Sequence, residues 1–325
     1  MRIPDIGGEF ALIERLARQA TTTHPDLIAG IGDDAAVIDG VMAGDDHLLV
    51  TTDMLVESSH FRRDWATPQQ IGIKSVACNV SDIAAMGGIP TFMFASLALP
   101  PDTDVAWLES LYRGMDRACH EYGVVLAGGD TTHGSGIVIN ITLLGRVSPD
   151  NLCLRSHARP GDLLCVTGHL GSSAAGLAML AAGMDPPRWL KDKHVAPQCR
   201  LDISPRIAPV ANAMIDISDG LAAEVNHICD QSGTGAEIEV DKIPVHEQTQ
   251  AAATRTGRRC LDFALAGGED FELLFSITEP NRQFLADQAI DAVVVGRVTD
   301  APAERVLVFP DGKRVSLGGG YNHFA

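Results

Sequence analysis

Residues 47–61 read HLLVTTDMLVESSHF and join a strand-like run to a polar group. The apolar run 48–50 is typical of a buried strand. It is followed by Thr51, Thr52 and Asp53, which we expect at the carboxyl end of that strand. Ligands of open α/β sheets usually bind at this end of the strands. The stretch therefore predicts an α/β protein with an oxygen-rich ligand site beside this strand.

Acidic side chains recur along the chain, most of them at the ends of predicted strands or in loops next to glycines. They are Asp33, Asp34, Asp53, Asp82, Asp130, Asp216, Asp219, Glu269 and Asp270. Gathering several carboxylates in one cleft is unfavourable unless cations neutralise them. Hard oxygen ligands without clustered cysteine or histidine favour Mg²⁺ or Mn²⁺ over zinc, and Mg²⁺ usually bridges carboxylates to phosphates. The pattern predicts a phosphate-bearing ligand that arrives with metal.

Each acidic motif, taken alone, also has an ordinary structural explanation. GGD is typical of a turn with an exposed aspartate, and in DISDG either Ser218 or Asp219 can cap a helix. Asp82 lies on the polar side of a predicted helix, where an aspartate is often solvated. His60, which has no cysteine near it in sequence, is in most proteins a surface or capping residue. The recurrence of five such motifs in one chain favours a multi-metal site.

Composition limits the class of protein. The chain has 325 residues, enough for two domains, and a formal net charge of −17, which argues against nucleic acid or an anionic membrane as partner. Seven cysteines form no CxxC pair, as in a reduced intracellular protein. No apolar run approaches the ~18 residues of a transmembrane helix, and the acidic N-terminus does not resemble a signal peptide. We expect a soluble, cytoplasmic protein that does not bind membranes.

Predicted strands and helices alternate along the chain, which favours an α/β fold. One helix is expected to begin at Pro68 and to end at Gly87-Gly88. Loop-forming residues accumulate after Gly145, so we place a domain boundary there. The first domain is expected to cover residues 1–148 and the second residues 149–325. Each half contains strands that end in glycine-flanked carboxylates, which suggests two related α/β folds.

Several nucleotide-dependent classes are excluded by missing motifs. The chain has no GxxxxGK[ST] of a P-loop enzyme, no HRD or DFG of a protein kinase, and no GxSxG nucleophile motif. Phosphoryl transfer by this chain would therefore depend on metals and positioning instead of covalent catalysis.

A set of motifs nearly from end to end resembles the thiamine-monophosphate kinase family, in the superfamily that includes aminoimidazole ribonucleotide synthetase. They are GEF, GIGDDAA, TTDMLVESSHF, KSVACNVSDIAAMGGIP, GGDTT, LRSHARPGD, IDISDGL, GGEDFELLF and GYNHF. The resemblance implies two α/β domains, with the N-terminal sheet forming a barrel across a homodimer. It also implies transfer of the γ-phosphoryl group of ATP to thiamine monophosphate, giving thiamine diphosphate.

The resemblance further implies roles for residues of this chain. Several Mg²⁺ ions would be held by Asp34, Thr51, Thr52, Asp53, Asp82, Asp130, Asp216 and Asp219. ATP would be contacted by Gly129, Asp130, Arg155 and Ser218. Thiamine monophosphate would be contacted by His60, Glu269 and Tyr321. The directly catalytic residues would be Asp53, Asp130 and Asp219, and Asp33 would support Asp34 or act as a further ligand.

We expect direct in-line transfer, because the attacking phosphate oxygen is already largely ionised near neutral pH. The alternatives are another ATP-using member of the superfamily, a metal-dependent phosphohydrolase, and a non-catalytic acidic module that binds divalent cations. The chain does not fit a selenophosphate synthetase, which would require a reactive cysteine in a glycine-rich N-terminal segment, because its first cysteine is Cys78.

Overall fold

A computed structural model describes residues 9–18, 24–42 and 44–321. The first half contains α1 (Glu9–Ala17), β1 (Leu27–Ala29), β2 (Ala36–Ile38), β3 (His47–Val56), α2 (Pro68–Ala85), β4 (Ile89–Leu99), α3 (Val105–Tyr122), β5 (Val125–His133) and β6 (Val138–Val147). Its six strands form one sheet in the order β1-β2-β3-β6-β4-β5, in which only β4 and β5 are parallel among the described strands.

The second half forms a separate seven-stranded sheet in the order β13-β12-β9-β11-β7-β10-β8. Its elements are β7 (Leu163–Thr167), α4 (Ser172–Ala181), α5 (Arg188–Val195), α6 (Ser204–Ile207), β8 (Ala211–Asp216), α7 (Leu221–Ser232), β9 (Gly235–Glu239), α8 (Glu247–Thr256), α9 (Cys260–Ala266), β10 (Leu273–Ile277), α10 (Arg282–Asp287), β11 (Ala292–Thr299), β12 (Arg305–Val308) and β13 (Arg314–Ser316). Strands β7 and β10 are buried along their whole length. The two-domain α/β architecture expected from the sequence is confirmed.

Strand β3 is longer than the sequence predicted. It pairs with β6 from His47 opposite Val147 to Val56 opposite Val138. Thr51, Thr52 and Asp53 therefore lie in the middle of the strand and not at its end, because the following Met54-Leu55-Val56 also suits a strand. Gly129 and Asp130 likewise lie inside β5, which continues to His133, and not after it. Consecutive side chains of a strand point to opposite faces, so this correction decides which residues can meet.

Helix α2 connects the two halves. It begins at Pro68, as predicted, after Thr67, whose side chain forms a capping box with Gln70. One side packs against the first sheet and α3, and the other against β8, α5 and α6. The side expected to be solvated is therefore buried: Ser75 and Asn79 have no exposed surface. Helix α2 therefore places residues of the first half in direct contact with the second half.

The two faces of the first sheet differ. Helices α2 and α3 cover one face, toward which Leu49, Thr51 and Leu55 point with exposed fractions below 8%. On the opposite face Met54 and Phe94 are 55% and 40% exposed. Among the described residues, no helix is long and apolar enough to cross a membrane.

Candidate functional site

Three aspartates from distant parts of the chain meet at the junction of the two halves. Asp34 comes from the loop between β1 and β2, Asp82 from α2, and Asp216 from the end of β8. One oxygen from each carboxylate lies within 4.8 Å of the others. Asp34 and Asp216 are buried, with 8% and 3% of their surface exposed. We call Asp34, Asp82 and Asp216 the acidic cluster.

Strand β3 supplies two more predicted ligands beside the acidic cluster. The Thr51 hydroxyl donates a 2.5 Å hydrogen bond to Asp82 Oδ2. The Asp53 side chain shares the face of Thr51, and its backbone N–H donates to Asn79 Oδ1 of α2 at 3.1 Å. Electrostatics also place Asp53 near the cluster, since it is among the carboxylates that raise the pKa of Asp82.

The acidic cluster has the donor set and charge that fit a divalent metal. Burial, followed by the neighbouring carboxylates Asp53, Asp216 and Asp34, raises the pKa of Asp82 well above its usual range. Burial likewise raises the pKa of Asp216 and of Asp34. Asp34 Oδ2 is buried and has no hydrogen-bond partner among the described residues. An oxygen-only site of this kind suits Mg²⁺ or Mn²⁺.

Arg155 is the cation that contacts the cluster from the second half. Its Nη2 donates to Asp34 Oδ1, and its Nη1 donates to the Gly32 carbonyl at 3.0 Å. Its backbone N–H donates to Asp33 Oδ2 at 3.3 Å. Burial, with a further contribution from Asp34, raises the pKa of Asp33 to about 6. Arg155, predicted to contact ATP, thus lies beside the predicted metal ligands.

Two predicted metal ligands are not brought to the acidic cluster. The sheet register aligns Asp53 with Ile141, Ala95 and Gly129, so Asp53 lies three strand spacings, about 14 Å, from β5. The same register places Thr52 and Asp130 on the sheet face opposite to Asp53. The Thr52 hydroxyl donates to the Ile141 carbonyl at 3.0 Å. Within one protomer these two side chains therefore lie apart from the cluster.

An open cavity of about 460 Å³ surrounds the glycine segment of β5. It is lined by Gly129 and Asp130, both predicted to contact ATP, and by the Tyr112 ring of α3. Ser218, the remaining predicted ATP contact, follows β8 beside Asp216. The predicted nucleotide residues are thus divided between this cavity and the junction of the two halves.

The predicted substrate residues His60 and Glu269 are joined by a lysine that sequence reasoning missed. Lys74 Nζ lies 2.6 Å from Glu269 Oε1 and donates to the His60 carbonyl at 2.8 Å. His194 Nδ1 lies 3.2 Å from Glu269 Oε2. Although burial opposes ionisation, the Lys74 ammonium and the His194 ring lower the pKa of Glu269 to about 2. Glu269 is therefore ionised over the physiological range.

The third predicted substrate residue, Tyr321, is tied to the same region. Its backbone N–H donates to the Asp219 carbonyl at 2.9 Å, and the Glu269 N–H donates to the Ser218 carbonyl at 2.7 Å. The Ser218-Asp219 turn therefore holds both Glu269 and Tyr321. The tyrosine is 47% exposed. The neighbouring residues 322–324 of the terminal motif, and Gly8 of GEF, lie outside the described residues.

Other acidic residues have structural partners. Asp270 accepts hydrogen bonds from the N–H groups of Gly171 and Ser173, at 2.5 and 3.1 Å, and thereby caps α4. It is a candidate from the sequence that the structure assigns to the fold. Glu224, which sequence reasoning missed, accepts from the Asp219 N–H at 2.8 Å. Its position four residues after the DG of IDISDG was the available signal.

Family models match both halves of the chain. The model of the N-terminal domain of AIR synthase related proteins matches residues 32–147. The model of the C-terminal domain of the same proteins matches residues 159–309. Because the two matches together cover most of the chain, it belongs to the AIR synthase related proteins.

Full-length relatives narrow the class. The thiamine-monophosphate kinase of Aquifex aeolicus is 35% identical, covering 100% of both chains. That of Mycobacterium tuberculosis H37Rv is 37% identical over 98% of this chain and 92% of the relative. The solved structure of AaThiL complexed with AMPPCP and TMP superposes with a TM-score of 0.87 at 34% identity, covering 100% of this chain and 99% of the other. The chain belongs to the thiamine-monophosphate kinase family.

Proposed function

We propose that this protein transfers the γ-phosphoryl group of ATP to thiamine monophosphate and releases thiamine diphosphate and ADP. The observation that carries the proposal is the acidic cluster, which gathers three carboxylates within 4.8 Å at the junction of the two halves. The full-length relatives named as thiamine-monophosphate kinases, and a relative that binds AMPPCP and TMP, support this reaction over others. The enzyme is a phosphotransferase.

The acidic cluster would hold Mg²⁺, with Thr51 and Asp53 beside it and Asp219 on the adjoining turn. When bound, such ions supply positive charge that relieves the repulsion between two phosphate groups. The chain itself supplies Arg155, whose guanidinium can grip phosphate oxygens in a bidentate manner. In this structure Arg155 pairs with Asp34. We propose that Gly129, Asp130 and Ser218 contact ATP, with the Tyr112 ring available for stacking in the cavity beside Gly129 and Asp130.

The organic part of thiamine monophosphate would lie against His60, Glu269 and Tyr321. His60 Nδ1 accepts a hydrogen bond from the Val56 N–H at 3.0 Å, so a neutral ring carries its proton on Nε2. The ionised Glu269 suits an amino group or a cationic ring. The exposed Tyr321 ring suits stacking on a thiazolium or a pyrimidine. Together they provide an imidazole ring, an anion and an aromatic face.

No residue needs to become phosphorylated in this scheme. The attacking group is a phosphate oxygen that is already ionised, so neither a strong general base nor a covalent intermediate is required. Protein incubated with radiolabelled ATP alone should therefore retain no label. A stable phosphoprotein would contradict direct in-line transfer.

The test of the function is an assay with ATP and Mg²⁺, with and without thiamine monophosphate, that follows ADP release and separates thiamine diphosphate by chromatography. We expect both products only when both substrates are present. ADP release that is indifferent to thiamine monophosphate would point to another ATP-using member of the superfamily or to a phosphohydrolase. Metal binding without turnover would point to a non-catalytic acidic module.

We also propose that residues 1–148 form the dimerisation domain and residues 149–325 the second domain. The exposed face of the first sheet supports a homodimer, because Met54, Phe92, Phe94 and Val125 are 40–55% exposed there and β5 is an edge strand. A barrel closed by a second copy would also give Asp130 and Thr52 new neighbours. Phe94→Glu should yield a monomer in sedimentation, whereas Leu177→Glu on α4, at a side chain 37% exposed, should not. A Phe94→Glu dimer would contradict the proposal.

A further inference from the structure

Lys74 is one of the most deeply buried charged residues of the described chain, and its contacts are few and specific. Its side chain is 3% exposed, and the ammonium contacts Glu269 Oε1 at 2.6 Å and the His60 carbonyl at 2.8 Å. The three residues come from three separate elements: α2, the loop after β3, and the loop before β10. Lys74 therefore holds two proposed substrate residues in one fixed arrangement across the junction of the halves.

A purely stabilising role does not account for this arrangement. Burying an ammonium and a carboxylate costs desolvation that their attraction often only just offsets, and apolar side chains of similar volume usually serve the fold as well. Glu269 moreover has a backbone φ of 65°, in the left-handed region that non-glycine residues seldom adopt. Strained backbone of this kind is concentrated at binding sites, where the surrounding contacts maintain it.

A second side chain beside Glu269 strengthens the case. His194 of α5 contacts Glu269 Oε2 at 3.2 Å and the Ser173 hydroxyl at 3.1 Å. Both carboxylate oxygens are therefore fixed, one by the Lys74 ammonium and the other by the His194 ring. Lys74 and His194 also line a small cavity together with His60 and Trp65. The Glu269 carboxylate is thus oriented by two residues that lie against the same small cavity as His60.

Helix α2 relates this arrangement to the acidic cluster. Lys74 and Asp82 are eight residues apart on the helix, which corresponds to about 12 Å along its axis. One end of α2 thus contributes to the acidic cluster, where phosphate would bind, and the other contacts the residues proposed to meet the rings. A single rigid element sets the spacing between the two ends of the substrate site.

We infer that Lys74 is a positioning residue for the ring end of thiamine monophosphate, and that it acts by holding His60 and Glu269 in the geometry that the substrate requires. This inference rests on the proposed function. Lys74 is not required to touch the reacting phosphates, so its loss should weaken recognition of thiamine monophosphate and leave the handling of ATP nearly unchanged.

The test compares Lys74→Met with wild type and with Lys193→Met. Lys193 is a suitable control because it also pairs with a buried glutamate, Glu272, at 3.3 Å. We expect Lys74→Met to raise KM for thiamine monophosphate at least tenfold, with KM for ATP within twofold of wild type and kcat reduced less than threefold. Calorimetric titration with thiamine monophosphate alone should show the same loss of affinity. Lys74→Arg should restore part of it, and Lys193→Met should leave KM for thiamine monophosphate within twofold.

Each contrary result has a definite meaning. A folded Lys74→Met with an unchanged KM for thiamine monophosphate would overturn the inference, and so would an equal rise in Lys193→Met. If Lys74→Met does not fold, His194→Ala tests the same positioning of Glu269, since it removes the second side-chain contact of that carboxylate together with the contact to the Ser173 hydroxyl. A threefold or larger rise in KM for thiamine monophosphate alone supports the inference, and no rise overturns it. A wild-type protein that neither binds nor converts thiamine monophosphate would overturn the proposed function together with it.

Discussion

The acidic cluster and the Glu269 carboxylate are both largely buried, but their charges are balanced in opposite ways. In the cluster, burial and neighbouring carboxylates raise the pKa of Asp82 and of Asp216. At Glu269, Lys74 and His194 outweigh burial and lower the pKa to about 2. The fold supplies the Lys74 ammonium to Glu269, whereas in the cluster Arg155 contacts only Asp34. This difference indicates that the acidic cluster is suited to bind external cations, whereas the Glu269 site is suited to present an anion.

The largest expected effect comes from removing one carboxylate near the cluster. Asp53→Asn should lower kcat at least about 10³-fold, equivalent to about 4 kcal/mol of transition-state stabilisation. Its thermal stability without metal should stay close to that of wild type, because one repelling buried charge is removed. Parallel kinetics and melting curves check this. Equal losses in turnover and stability would make Asp53 a structural residue.

Adding Mg²⁺ in a melting experiment should distinguish the acidic cluster from the Glu269 site. Mg²⁺ without nucleotide should raise the Tm of wild type but not that of Asp82→Asn, because a ligand that binds only the folded state stabilises it. Glu269→Gln should keep the Mg²⁺-dependent shift, since the Lys74 ammonium already occupies the cation position at Glu269. An Asp82→Asn protein that still responds to Mg²⁺ would remove Asp82 from the metal site.

The expected change in the free energy of unfolding at Glu269 is smaller than the loss of transition-state stabilisation in Asp53→Asn. Glu269→Gln leaves the buried Lys74 ammonium without its carboxylate, and breaking a buried pair in this way costs about 3 kcal/mol. Urea unfolding of the metal-free protein provides the measurement, with Asp53→Asn as the matched removal of a buried charge. If the asparagine variant lost as much stability as the glutamine variant, the proposed contrast between the two sites would be wrong.

The sequence predicted the fold class and the acidic residues better than it predicted their grouping. Apolar periodicity and Pro68 correctly indicated α2, and the recurring carboxylates include the three that the structure brings together in the acidic cluster. The strand length could not be read from residues 47–61, since Thr51 to Asp53 suit either a strand or its end. Asp53 lies on the sheet face opposite to Thr52 and Asp130. This is decided by the register of β3, β6, β4 and β5, which depends on contacts between strands distant in sequence.

Lys74, His194 and Tyr112 were missed for a related reason. Each lies on a helix with an ordinary amphipathic or polar pattern, and its partner is far away along the chain. Lys74 and Glu269 are brought together only when α2 packs against the second half. A buried lysine has no local sequence signal, because a lysine in the first turns of a helix is usually solvated.

The smallest effect is expected at Asp270, whose buried carboxylate belongs to neither site. Burial raises its pKa from 3.8 to about 7, although the N–H groups of Gly171 and Ser173 oppose the shift. Its folded form therefore binds a proton more tightly than its unfolded form, so the stability that it contributes is greatest below about pH 4 and is lost as the pH rises through about 7.

Asp270→Asn should cost about 1–2 kcal/mol near pH 4, from weaker capping of α4, and less at pH 8. Urea unfolding at both pH values checks this, with Asp262→Asn in an exposed pair as a control that should change stability by less than about 1 kcal/mol. Because Asp270 lies outside the acidic cluster, its variant should keep the Mg²⁺-dependent rise in Tm, and losing that rise would mean that Asp270 also supports the metal site.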